Sequence, residues 1–258
     1  MNEFKILLLT LTSFYIIGCE QAKEAPKKIE VNSATESTVN KESFRYTWLE
    51  NIEATKVSEG DSFDKNYYFV IDGSGSMDSS SCEGNEKKID IAKRAVVDYA
   101  ETLQSSNLGM IAFDNYGTSE RVVLSKNNFL DFKEKINEIR QNDGTPLKTA
   151  ITMAYDKLKE QGAKQGSNGE YNLIIVTDGE ASNFEDPKSI VKEIGSNSPV
   201  NITTIGFCLD NRHSLNDPEY VNYYSAKNYS SIIAGLSKVQ SEGENYTDEE
   251  YLQMLNDL

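Results

Sequence analysis

The stretch FVIDGSGSMDSSSC, residues 69–82, ends a run of apolar strand-formers in an aspartate and then spaces serines two apart. Asp72, Ser74 and Ser76 place three oxygen-bearing side chains on one loop, which Gly73 and Gly75 allow to curve tightly. Further along, Thr145 in DGTPL and Asp178 in IIVTDGE add two more oxygen donors. Several chemistries use such groups. Phosphoryl transfer through an aspartate nucleophile and Mg²⁺ would need a second aspartate two residues after the first, where this chain has Ser74. A serine hydrolase needs a base, and the one histidine, His213, lies in DNRHSLND, where a solvated loop side chain is expected. Ser74 sits directly between two glycines, so it is not a G-x-S-x-G nucleophile elbow. Zinc catalysis lacks ligands, and GSGSM is not followed by the lysine of a phosphate-binding loop. Each piece also has a plain reading. The serines could form a turn, Thr145 before Pro146 could cap a helix, and Asp178–Gly179 could be a turn.

The elements that must position these residues decide between the readings. Continuous apolar runs at Tyr67–Ile71, Leu108–Phe113, Val122–Leu124, Leu173–Val176, Val200–Phe207 and Tyr223–Ala226 predict six strands. Helical spacing joins Ile89, Ala92, Val96, Ala100 and Leu103, then Phe129, Phe132, Ile136 and Ile139, then Leu147, Ile151, Ala154 and Leu158. Shorter sets are Ile190, Val191 and Ile194, and Ile232, Ile233, Leu236 and Val239. Uninterrupted strands between amphipathic helices predict an α/β fold, a doubly wound and mostly parallel six-stranded sheet with helices on both faces. The second and third strands, joined by DNYGTSE without a helix, predict one antiparallel edge strand. In such sheets ligands bind beyond the carboxyl ends of the strands. Asp72 and Asp178 end the first and fourth strands and Thr145 precedes a helix, which sets all of them on one rim.

Asp72, Ser74, Ser76, Thr145 and Asp178 together resemble the metal-ion-dependent adhesion site of the von Willebrand factor type A domain. GTPL and VTDGE match contexts usual in its bacterial members, and the resemblance spans about Asn66 to Val239. It implies that Ser74 and Ser76 bind a cation directly, that Asp72 and Asp178 act mostly through water or hydrogen bonds, and that Thr145 does either. Oxygen-only ligands suit a hard cation, Mg²⁺ or Mn²⁺. Neutral hydroxyls closest to the ion leave it electrophilic, with an open position for an acidic side chain of a protein partner.

Lys5 followed by ILLLTLTSFYII and ending in IIGC resembles the lipobox of bacterial lipoproteins, with Cys19 as the lipidated first residue of the mature chain. An uncleaved buried helix is the alternative. Glu20 after the cysteine implies, by the same resemblance, a place in the outer membrane. The expected division is a signal peptide over 1–18, a polar tether over 19–43, a lead-in segment over 44–65, the domain over 66–242 and an acidic tail over 243–258. With Cys19 taken by lipid, an oxidising compartment favours pairing Cys82 with Cys208, two free thiols being the alternative. The formal net charge of −15 argues against a nucleic-acid partner.

The expected protein is therefore a lipid-anchored envelope module, not an enzyme, that binds a divalent cation and through it an acidic residue of another protein. Two alternatives stand beside it. One is a metal-dependent hydrolase or phosphatase of the envelope. The other is an accessory subunit of an ATP-driven chelatase, which the export signal opposes because ATP is not available outside the cytoplasm.

Overall fold

A computed structural model describes residues 48–49, 62–142, 144–209 and 212–241. Strand β1 (Lys65–Asp72) reads KNYYFVID, and every residue after Lys65 is buried. It pairs in parallel with β2 (Asn107–Asp114) on one side and β4 (Glu170–Thr177) on the other. β3 (Gly117–Ser125) returns antiparallel along β2, while β5 (Val200–Phe207) and β6 (Asn222–Ala226) extend the sheet in parallel beyond β4. The strand order is β3-β2-β1-β4-β5-β6. The chain thus winds outward in opposite directions from β1 and β4, which opens a crevice at their carboxyl ends.

Among the described residues five helices cover the sheet: α1 (Lys88–Glu101), α2 (Phe129–Glu138), α3 (Leu147–Gln165), α4 (Lys188–Asn197) and α5 (Tyr229–Ser241). Alternate residues of β1 feed two separate cores, as the two-residue repeat of a strand requires. Tyr67, Phe69 and Ile71 pack with Ile89, Val96, Phe132, Ile136 and Leu236 of α1, α2 and α5. Tyr68 and Val70 pack on the other face with Leu147, Ile151, Leu158, Ile190 and Ile194 of α3 and α4. Both cores clamp β1, so its carboxyl end has little freedom to move.

The edge strand is longer than its apolar run. β3 spans nine residues because Thr118 to Arg121 are only half-buried and carry no apolar signal. The start of α3 also differs from the sequence reading. Pro146, not Thr145, occupies the cap position, and no side chain caps the helix. The Thr145 backbone carbonyl instead accepts from Leu147 N at 2.9 Å.

Of the lead-in segment, Trp48 and Leu49 lie against the α3–α4 core. Trp48 is buried, its ring meets the edge of Tyr171 at 5.0 Å between centroids, and its Nε1 donates to Ser167 Oγ at 3.0 Å. A Cβ on Gly162 would collide with the indole, so the glycine in α3 is what admits it. The expected signal peptide, tether and tail, and Cys19 with them, lie outside the described residues. Trp48→Ala should cost about 3–5 kcal/mol of stability, the usual loss for a large buried aromatic. Urea unfolding followed by circular dichroism measures it, and a loss below about 1 kcal/mol would show that the segment is not anchored here.

Candidate metal centre

Asp72 closes β1 with no solvent exposure. Its Oδ1 accepts from Ser74 N at 2.7 Å and its Oδ2 from Thr177 Oγ1 at 2.5 Å. Burial pushes its carboxyl up to about 6, and the charge of Asp178 adds to this, while the hydrogen bonds from Ser74 and Thr177 oppose it. The chain then leaves β1 through Gly73, whose missing side chain is needed. A Cβ there would stand 2.8 Å from Phe113 O and 2.9 Å from Asp114 Cβ. This close approach lets Gly73 N donate to Phe113 O at 2.9 Å and Gly73 O accept from Asn142 N at 3.0 Å, which ties the loop to β2 and to the segment before Thr145.

A short 3₁₀ turn (Gly75–Asp78) follows, with Met77 buried beneath it as an anchor. It turns Ser76 Oγ back to within 3.0 Å of Ser74 Oγ. Ser76 Oγ also donates to Asp178 Oδ1 at 2.6 Å. Since a hydroxyl has one proton, Ser74 is the donor in the serine pair. The Asp178 side chain is fully buried, and its Oδ2 receives Lys88 Nζ, the first residue of α1, at 2.6 Å. One carboxylate, two hydroxyls and one ammonium thus form a continuous chain across the mouth of the β1–β4 crevice.

Thr145 reaches the same place from the loop before α3. Its N donates to Ser182 Oγ at 2.8 Å and its carbonyl accepts from Ser182 N at 3.0 Å, so the β4–α4 loop holds it from both sides. Gly179 relates the two hydroxyls. A Cβ built on it would lie 3.7 Å from Ser76 Oγ and 3.9 Å from Thr145 Oγ1. The absent side chain leaves a cradle between them. The structure therefore brings Asp72, Ser74, Ser76, Thr145 and Asp178 to one rim. Among the described residues no group of three or more histidine, cysteine, aspartate or glutamate side chains is arranged to hold a metal ion, so the donor set here is hydroxyl-rich.

Two residues of the site escape sequence reasoning. Thr177 orients Asp72 and accepts from Gly179 N at 3.3 Å, but one threonine before an aspartate carries no distinguishing signal. His213, expected to be solvated, is buried. Its Nδ1 accepts from Leu215 N at 3.0 Å, so Nε2 of the neutral ring donates to Gly179 O at 2.8 Å. Its ring stacks on Tyr223, with centroids 5.9 Å apart. The loop after β5 folds back over the Asp178–Gly179 turn, and no local periodicity announces that. Cys208 begins this loop and is disulfide-bonded to Cys82 in the loop after β1, with 5.6 Å between Cα atoms.

Residues 67–180 match the family profile of the von Willebrand factor type A domain. The uncharacterized protein YwmD of Bacillus subtilis (strain 168) is 30% identical over 162 residues, which cover 57% of this chain and 70% of that one. The chain belongs to the von Willebrand factor type A family. Two solved structures share its fold at low identity. BatB from Bacteroides thetaiotaomicron, described as a conserved hypothetical protein, superposes with a TM-score of 0.52 at 16% identity, over 68% of this chain and 98% of that one. The manganese-loaded TRAP protein of Plasmodium vivax gives 0.51 at 17% identity, over 68% and 72%.

The buried Asp72 of this von Willebrand factor type A domain yields a pH prediction for the protein in EDTA. Its carboxyl is raised from 3.8 to about 6 by folding, so the stability it contributes is full below about pH 4 and is lost as pH rises through 6. Asp72→Asn keeps the shape without the charge. At pH 7.5 it should be about 2–3 kcal/mol more stable than the parent, with the gap closing below about pH 5. Urea unfolding in EDTA across that range tests this, and equal stabilities at pH 7.5 would contradict it.

Proposed function

We propose that the domain is a cation-dependent protein-binding module that takes Mg²⁺, or Mn²⁺ in its place, at the β1–β4 crevice. The observation that carries this reading is the cradle lined by Ser76 and Thr145 and left open by Gly179, beside two buried carboxylates. Ser74, Ser76 and Thr145 would hold the cation, and Asp72 and Asp178 would orient the groups around it. Ser76 spends its proton on Asp178 and one lone pair on the Ser74 hydroxyl, so one lone pair remains for a cation. When bound, the cation supplies a Lewis-acidic position for a carboxylate oxygen of a protein partner. The charges favour that ligand. Asp72 and Asp178 contribute two negative charges and Lys88 one positive, so a divalent ion leaves the centre net positive.

The reading is of a binder and not an enzyme. Both ring nitrogens of His213 are engaged by backbone, one by Gly179 and one by Leu215, so it is not placed as a general base for Ser74 or Ser76. We further propose that lipid on Cys19 holds the chain in the bacterial cell envelope, at the outer membrane. This rests on the leader and IIGC, which oppose the ATP-driven chelatase reading.

Calorimetric titration of the full chain should show Mg²⁺ and Mn²⁺ binding that Asp72→Ala abolishes. Gly179→Ala places one methyl at ordinary contact distance from both hydroxyls, so it should fold normally yet weaken the cation by at least tenfold. Absence of heat with the parent protein, or full affinity in both variants, would sink the metal reading. For the anchor, Cys19→Ser should move the protein from the membrane pellet to the soluble fraction or block processing. Unchanged pelleting and gel mobility would refute lipidation.

A further inference from the structure

Phe184 lies on the β4–α4 loop, which also supplies Asp178 and the Ser182 clasp on Thr145. Its side chain is 99% exposed, the most exposed of the large hydrophobics among the described residues. Its backbone has φ of +68°, which a bulky residue adopts only under strain. Ser182 O accepts from Glu185 N at 3.0 Å, so Phe184 is the third residue of a four-residue turn, a place where positive φ calls for glycine. The strain is held from outside. Ser182 is bonded twice to Thr145, Glu185 O accepts from Lys148 N at 3.2 Å, and the Glu185 carboxylate accepts from Thr149 N and Thr149 Oγ1, both at 2.8 Å. A phenylalanine kept in water, on a backbone that disfavours it, by bonds to the start of α3 has no packing purpose among the described residues. Isolated exposed apolar residues are ordinary, but one strained into exposure beside a ligand site is not.

We infer that Phe184 is the apolar half of a two-point docking surface, whose other half is the cation centre proposed above, and the inference rests on that reading. The occupant is an extended segment of another protein that carries a carboxylate for the cation and a large apolar side chain for the Phe184 ring. The charge of the centre selects the acid. Phe184 is two residues beyond Ser182, whose hydroxyl touches Thr145, so the ring and the cradle belong to one stretch of the rim. Asn183, beside it in the turn, is exposed as well.

The test uses synthetic peptides, one with a single glutamate among glycines and serines, and a set that also carries one leucine at two to five residues from it, the tightest of which is the glutamate–leucine peptide. In Mg²⁺ the full chain should bind the glutamate–leucine peptide at least fivefold more tightly than the glutamate peptide. Phe184→Gly should abolish that difference while Mg²⁺ affinity is retained. The same variant should melt at a higher temperature than the parent, because glycine relieves the positive φ, whereas a residue with a structural role would lower it. Equal binding of the two peptides by the parent overturns the docking surface but leaves the cation reading standing. Failure of both peptides overturns both readings. A lowered melting temperature in Phe184→Gly, or a dimer in sedimentation that this substitution abolishes, assigns the residue to folding or to self-association and also overturns the proposal.

Discussion

Asp72 puts a carboxylate where the fold gives it no water, at the end of a strand covered on both faces, and the site is organised around what that requires. An anion so placed needs donors from the protein. Ser74 N supplies one, which forces the chain to turn at Gly73. Thr177 Oγ1 supplies the other, which ties β1 to the last residue of β4. These two bonds fix the register of the loops that carry Ser76 and Asp178. They do not satisfy the charge fully, since burial still raises the carboxyl to about 6. The site therefore retains a demand for positive charge that the hydrogen bonds leave unmet. Lys88 meets part of it, at Asp178 and not at Asp72.

The parts of this arrangement legible in the sequence are those set by short-range patterning. Strands buried on both faces read as apolar runs, and β1, β2, β4 and β5 were visible for that reason. The antiparallel edge strand β3 showed only its central Val122–Leu124, because Ser119, Glu120 and Arg121 are half-buried and need not be apolar. The strand order was not legible. Nothing in the chain says that β4 lies beside β1, yet that adjacency puts Asp178 within reach of Ser76. The aspartates and serines could be set on one rim from strand direction alone. Thr177 and His213 could not, since their roles are set by contacts 105 and 34 residues away.

Thr145 shows how one local rule can mislead where a longer-range contact wins. Threonine followed by proline is a good helix start, and in an isolated segment the hydroxyl would turn toward the first free N–H groups. Here Ser182 accepts the Thr145 N–H and donates to its carbonyl. That clasp shifts the cap position to Pro146, which has no side-chain donor or acceptor. The hydroxyl is thereby released from capping and faces Gly179. Capping the helix and facing Gly179 are alternatives for one oxygen, and the β4–α4 loop selects between them. The same loop bears Phe184 at its tip, so the strain at Phe184 and the orientation of Thr145 share one set of hydrogen bonds.

The charge of the whole chain limits how such a site can work. A net charge of −15 attracts divalent cations to the surface at long range and repels acidic proteins there. A positive centre made by one ion between two buried carboxylates cannot reverse that field at a distance, and salt screens it beyond about 8 Å under physiological conditions. Long-range steering would therefore not speed the encounter with a carboxylate-bearing partner, and discrimination would have to arise after contact. At contact the balance would change, because a bound ion, the Lys88 ammonium and the rim loops would act in a partly dehydrated space where charge interactions strengthen. Short-range apolar contact is unaffected by the repulsive field. A cation site in so acidic a chain would gain more from an apolar anchor beside it than from further positive charge, which would compete with the cation for Asp72 and Asp178.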